Sequence, residues 1–370
     1  MIEQESYQAR RAEARRRMAG QGIDALLVGP SAAFRYFTGR KAIQTERFVA
    51  LLIGREGSDL IVTPRLQSPL YDGIDGTELL IWDEAESPVA RVAQELDRRG
   101  AGSLAVNEEF WSGFLLALRR LRPALNQLDG APLLSALRII KSEAELARMA
   151  RTAERIDDVW TEFCRLTPTM IGHTELALRA RIDGLMRDMG FSEVTWVDVG
   201  AGANGASPLH HGSEHVVAAG EPVVFDYAGC YDGYYGDICR IAVSGPIDPD
   251  YRALYDLVDR AQEAAFQAIR PGVTAESIDA VARRILSDAG YGEYFTHRIG
   301  HGIGLAAHED PYLVEGNQRL LEPGMVFSNE PGVYLPGRWG VRIEDIVVVT
   351  RDGAQRLTRV SRELVSLNDD

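Results

Sequence analysis

Histidine and cysteine are scarce in this chain, seven and three respectively among 370 residues. The cysteines, Cys164, Cys230 and Cys239, are odd in number and lack CxxC spacing, which argues against a disulfide framework. They read as small core side chains in a reducing, cytoplasmic setting. Long apolar runs are missing as well. No stretch reaches membrane-spanning length and no hydrophobic signal segment opens the sequence, so no membrane association is expected. Positive charge is short, and a formal net charge of -14 argues against nucleic acid as a partner. The one basic cluster, ARRAEARRRM, reads as the solvated face of an opening helix. No glycine-rich phosphate loop follows a strand-like run, which removes the reason to expect a nucleotide site.

At 45% apolar content the chain is long enough for two buried cores. Up to about residue 135, short apolar runs (DALLVG, RFVALLIG, DLIVTP, ELLIW, SLAV) alternate with amphipathic segments around VARVAQELDRRG and from Phe110 to Leu121. That alternation predicts an α/β unit. Ser142-Glu143-Ala144-Glu145 is a capping box, and Leu146, Met149, Ala150, Ala153, Ile156, Val159, Trp160 and Phe163 follow at helical spacing. The domain boundary is therefore placed at 140. Beyond it, RLTPTMIGHTE and IRPGVTAE each join two helical segments, and each pair precedes strand-like sequence. Two related halves, each with two helices and a hairpin, are expected.

Carboxylates interrupt those strands. In VVFDYAG and YYGDICRIAV, a four-residue loop from Cys230 to Gly233 would put Asp226 directly opposite Asp237. Their Cβ atoms would then lie about 4.5–5.5 Å apart on one face. In the second hairpin Glu330 ends MVFSNE and Glu344 lies inside GVRIEDIVVV, with Arg342 two residues away and able to hold it. Four embedded acids repel unless they share a proton or a cation lies between them, and their formal charge matches two divalent ions. Asp232 and Asp345 read as turn and surface residues. HRIGHGIGLAAHEDP adds His297, His301 and His308 in a segment whose glycines at 300, 302 and 304 argue against a regular helix. SPLHHGSEH, a loop by composition, offers His210, His211 and His215, one of which is expected at the site.

The segments FDYAGCYDGYYGDICR, HRIGHGIGLAAHEDP, EPGMVFSNEPGVY and GVRIEDIVVV resemble, in order and spacing, the creatinase, aminopeptidase P and prolidase family of metallopeptidases (family M24). The resemblance covers nearly the whole chain. It implies an α/β fold with a creatinase-like domain over 1–140 and a pita-bread catalytic domain of pseudo-twofold symmetry over 141–370. It further implies Asp226, Asp237, His301, Glu330 and Glu344 as ligands of a dinuclear metal centre. The motif matches assign His210, His297, His308 and Arg342 to substrate, with Glu330, His308 and His297 catalytic. Mn²⁺ suits the oxygen-rich set best, with Co²⁺ or Zn²⁺ as alternatives. The implied substrate is a proline-containing di- or oligopeptide, cleaved before proline by a cytoplasmic homodimer. An Xaa-Pro dipeptidase is the first reading, with Arg40, Lys41 and Arg47 as candidates for the substrate carboxylate. An Xaa-Pro aminopeptidase is the second, and a hydrolase or lyase of a small non-peptide molecule the third. A non-catalytic binding module of this fold would lack several of the five ligands.

Overall fold

The computed structural model describes residues 6–368, and contacts divide the chain after Arg138 into two units. The first contains α1 (Tyr7–Gly20), β1 (Ala25–Val28), α2 (Ala32–Thr38), β2 (Ala50–Gly54), β3 (Asp59–Pro64), β4 (Thr77–Trp82), α3 (Pro88–Arg98), β5 (Ser103–Val106), α4 (Ser112–Leu121), β6 (Asn126–Asp129) and α5 (Ala131–Arg138). Its six strands form one mixed sheet in the order β4-β3-β2-β1-β5-β6. The expected solvated arginine face of α1 is corrected at two positions. Arg11 is fully buried, with Nε 2.7 Å from Asp59 Oδ2, and Arg10 donates to the Tyr36 carbonyl. A guanidinium can be buried at this cost because its donors are all met by carboxylate and carbonyl oxygens. Arg47, a candidate carboxylate receptor, is paired instead with Glu84 at 2.9 Å.

The second unit contains α6 (Glu143–Leu166), α7 (Glu175–Asp188), β7 (Glu193–Ala201), β8 (Pro222–Tyr231), β9 (Tyr234–Val243), α8 (Pro249–Ala268), α9 (Ala275–Asp288), β10 (Gly300–Gly302), β11 (Glu309–Leu313), β12 (Val326–Asn329), β13 (Gly332–Leu335), β14 (Trp339–Arg342), β15 (Asp345–Val349), β16 (Ala354–Arg356) and β17 (Val365–Ser366). The capping box opens α6, with Ser142 N–H donating to Glu145 Oε2 at 2.9 Å. Such a cap is worth about 1 kcal/mol. One sheet runs β17-β9-β8-β7 and a second β11-β10-β12-β15-β16, with β13 and β14 a separate pair. The helix pair α6/α7 shares a core with Phe225, Tyr227 and Ile238 of the first sheet, and α8/α9 shares one with Phe327 and Val347 of the second. Each half thus lays two helices over one face of its strands. Because side chains alternate along a strand, Asp226 and Asp237 point away from α6 and α7.

The first hairpin departs from expectation. Its turn is the two residues Asp232 and Gly233, at φ 47° and 89°, and Tyr231 pairs with Tyr234. Asp-Gly supplies the two positive φ angles that a tight hairpin needs. Asp226 is therefore opposite Cys239, and Asp237 opposite Ala228. The register moves by two, which preserves the shared face and makes the two acids diagonal neighbours. In the second half, Asn329 pairs with Asp345 and Gly332 with Arg342. The same register passes through the break between them and sets Glu330 against Glu344. An isolated bridge, Cys239 to Glu344, joins the two halves.

Asp157 on α6 accepts from the Arg359 N–H, while its Oδ1 is buried without a partner. Burial pushes this carboxyl up to about 6. A raised folded-state pKa means stability present below the unfolded pKa, near 4, that is lost as pH rises through about 6. Asp157→Asn should accordingly raise the melting temperature at pH 8 by about 2–4 °C and leave it unchanged or lower at pH 4. Equal melting curves for parent and variant at pH 8 would contradict this. Among the described residues no helix is long and apolar enough to cross a membrane.

Candidate metal centre

Asp237, His301 and Glu344 are buried and present ligand atoms within 4.8 Å of one another. They come from β9, β10 and the residue before β15. His301 Nε2 is 3.8 Å from Asp237 Oδ2 and 3.3 Å from Glu330 Oε1. The histidine segment is partly strand, since Gly300–Gly302 form β10, paired with β11 and β12. A Cβ at Gly300 would strike the Ser328 carbonyl and one at Gly302 the Asp310 carbonyl. Glycine here permits backbone to lie directly against backbone. His301 Nδ1 donates to the Gly302 carbonyl at 3.1 Å, which leaves the Nε2 lone pair facing the acids.

Electrostatics make the cluster unstable as bare carboxylates. Burial, followed by the charges of Asp226 and Glu330, holds the Asp237 carboxyl well above its ordinary range. Burial and then Asp237 and Glu330 do the same to Glu344, and burial pushes Glu330 up to about 7. His301 is held well below its ordinary value by burial and by His308. Asp237 Oδ1 and Glu344 Oε1 are buried with no hydrogen-bond partner. Orphaned acid oxygens facing an unprotonated imidazole nitrogen are what a divalent cation would satisfy, so the residues present fit one.

Asp226 faces the same cavity, but both its oxygens are engaged. Oδ1 accepts from Trp196 Nε1 at 2.7 Å, and Oδ2 accepts from Arg342 Nε at 2.8 Å and from a second Arg342 nitrogen at 2.6 Å. Arg342 thus grips Asp226 rather than Glu344. Its remaining nitrogen donates to Tyr334 Oη at 2.6 Å, so this buried arginine, expected on the substrate side, lines the cavity with all three nitrogens on protein partners. The guanidinium also offsets one negative charge, so the bare acids no longer balance two divalent ions one for one.

The other histidines divide differently from expectation. His297 Nδ1 donates to the Arg298 carbonyl at 2.7 Å, and Nε2 accepts from Tyr334 Oη at 2.8 Å. With both nitrogens occupied, and burial lowering its pKa to about 4, His297 has no N–H left for a reacting group. It orients Tyr334 and, through it, Arg342. His308 stacks on Trp196 with centroids 5.4 Å apart and lies 3.9 Å from the His301 ring. His210, expected on the substrate side, donates from Nε2 to Glu175 Oε2 at 2.7 Å. The neighbouring His211 lines the cavity instead, its Nδ1 donating to Asp198 Oδ1 at 2.6 Å. Glu175 is fully buried and also accepts from Ala201 N, Asn204 and Ser213, which fastens the histidine loop to α7. Burial raises the Glu175 pKa, but those donors outweigh it and hold the carboxyl below its ordinary range.

Sequence reasoning missed β7. The alternation in Thr195-Trp196-Val197-Asp198-Val199 carried the signal, since Val197 and Val199 enter the core while Trp196 and Asp198 face the site. Asp198 lies directly opposite Asp226, and a register shift between Val194 and Trp196 precedes it. Arg298 and Tyr334 were missed too, having no motif of their own. The finished cavity, about 630 Å³, has Asp237, His301, Glu330 and Glu344 in its lining and an apolar wall of Trp196, Pro208, Leu209 and Val314.

Residues 147–351 match the model of metallopeptidase family M24, and residues 10–140 match the creatinase/prolidase N-terminal domain. "Probable dipeptidase PepE" of Mycobacterium tuberculosis is 39% identical over 367 residues, covering 98% of this chain and 96% of that protein. The Xaa-Pro dipeptidase of Lactobacillus delbrueckii subsp. lactis is 33% identical over 354 residues, covering 93% and 95%. The crystal structure of the prolidase from Thermococcus sibiricus superposes with a TM-score of 0.94 at 34% identity, covering 99% of this chain and 100% of that one.

Proposed function

The chain belongs to metallopeptidase family M24, and on that premise we propose that it hydrolyses the Xaa-Pro bond of dipeptides. The observation that carries the reading is the buried Asp237, His301 and Glu344 cluster, with Glu330 beside it, in a cavity that also has an apolar wall. Trp196, Leu209 and Val314 offer a surface for a pyrrolidine ring, and relatives across nearly the full length are named Xaa-Pro dipeptidase. Asp237, His301, Glu330 and Glu344 would hold divalent metal, with Asp226 joining them in the dinuclear form if Arg342 shares it. Bound there, such ions polarise the scissile carbonyl and lower the pKa of water toward neutrality. Oxygen-rich ligation favours Mn²⁺ over Co²⁺ or Zn²⁺. The same reading takes a cytoplasmic homodimer as the working form.

Glu330, whose Oε1 lies 3.3 Å from His301 Nε2 at the edge of the cluster, accepts the proton of the attacking water. Glu330 then passes that proton to the departing proline nitrogen, while His308, kept neutral by burial and with ring nitrogens that have no hydrogen bond among the described residues, donates its N–H to the oxygen of the tetrahedral intermediate. Trp196 keeps the His308 ring in place by stacking. Arg342, Tyr334 and His297 hold Asp226, and Asp198 fixes the His211 tautomer so that Nε2 faces the cavity.

The test is hydrolysis of Ala-Pro and Ala-Pro-Gly by protein reconstituted with Mn²⁺, and again with a chelator. Chelator-sensitive cleavage of Ala-Pro, at least about tenfold faster than that of the tripeptide, is expected. Faster cleavage of the tripeptide would make the protein an aminopeptidase. Failure to cleave either with full metal content would leave a small non-peptide substrate.

A further inference from the structure

We propose that Arg298 is the receptor for the free carboxylate of the substrate's second residue, and so sets the peptide length accepted at this site; the inference rests on the dipeptidase reading above. Two guanidinium groups line the cavity. Arg342 is committed to Asp226 and Tyr334. Arg298 is half-buried and makes no ion pair with a carboxylate among the described residues, although Asp198, Asp226, Asp237, Glu330 and Glu344 all line the same cavity. An uncommitted cation in an acidic cavity is an anion site awaiting an anion.

Arg298 is also held in place. Its guanidinium carbon lies over the Tyr312 ring, 4.2 Å from the centroid, a cation–π contact that holds the head group in place. Its own carbonyl accepts from His297 Nδ1, and it stands three residues before His301 on the lead into β10. The charge is near enough to the centre to act on His301, His308 and Glu330. A planar donor pair in the cavity that also holds the metal-binding acids matches one ligand well, a carboxylate one residue beyond the scissile bond. In a longer peptide that position carries a neutral amide. The guanidinium would then be covered without a countercharge, which penalises the longer chain.

The experiment compares Ala-Pro with Ala-Pro amide, which differ only in that carboxylate, on Mn²⁺-loaded parent, Arg298→Gln and Arg298→Lys proteins. Arg298→Gln should lower kcat/KM for Ala-Pro about 100-fold, chiefly through KM, and change the value for the amide less than about threefold. Arg298→Lys should recover part of the loss. Where the parent turns the amide over weakly, its inhibition constant against Ala-Pro hydrolysis supplies the same comparison. Equal losses on both ligands would assign Arg298 a structural role and overturn the proposal, as would an unchanged preference for Ala-Pro. A parent protein that cleaves no Xaa-Pro peptide would instead overturn the dipeptidase reading, and that result is seen before any variant is made.

Discussion

Asp237→Ala should cost about three orders of magnitude in metal-dependent kcat/KM, while the metal-free protein melts at the same temperature or higher. The rate expectation follows from losing several kcal/mol of charge stabilisation, where about 1.4 kcal/mol is a factor of ten. The stability expectation follows from the position of the residue. Asp237 is 1% exposed, one of its oxygens has no partner, and its neighbours Asp226 and Glu330 repel it. Removing such a carboxylate relieves the metal-free protein and deprives the loaded one of a ligand. Metal content and melting curves with and without added Mn²⁺ provide the check. The parent should gain about 4 kcal/mol at a thousandfold excess of metal over Kd, and the variant much less. Full activity in Asp237→Ala would remove this residue from the centre, and global unfolding would show its burial to be structural.

Arg240→Met is expected to have the largest effect on stability, about 3–5 kcal/mol. Arg240 and Asp345 are each 1% exposed and pair at 2.6 Å. The same guanidinium donates to the carbonyls of Glu344, Val360 and Ser361, so a residue of β9 holds the backbone on which Glu344 is carried. Truncating it leaves Asp345 buried with its charge met by Arg356 at 3.1 Å, by the more distant Arg362 at 3.8 Å, and by Gln262 and Thr358. Chemical denaturation of Arg240→Met, Asp345→Leu and the double variant separates the two contributions. The double variant should be more stable than the sum of the single losses allows, because neither charge is left alone. An exposed pair such as Arg187–Asp183 should contribute no more than about 0.5 kcal/mol by the same measurement.

Asp345 illustrates where the sequence was legible and where it was not. It follows Glu344 in a strongly apolar strand and looked like an outward-facing acid, yet its partner lies 105 positions earlier. Nothing local to either residue reports such a pairing. The acids of the first hairpin were legible for the opposite reason. Strand alternation puts Asp226 and Asp237 on one face under any register that differs by an even number, so an incorrect four-residue loop still led to the correct face.

The chain by itself thus determined those properties that follow from short-range periodicity: the two α/β units, the helix pairs, the opening of α6, and which acids and histidines share a neighbourhood. Family motifs in their order added the metallopeptidase chemistry. Tertiary structure decided who is bonded to whom. Arg342 serves Asp226, His297 spends both nitrogens on protein partners, His211 rather than His210 reaches the cavity, and Arg298 is left without a counterion among the described residues. Hydrogen bonds and ion pairs act over about 3 Å between groups far apart in the chain. Their allocation depends on registers, turns and packing that residue spacing alone does not encode.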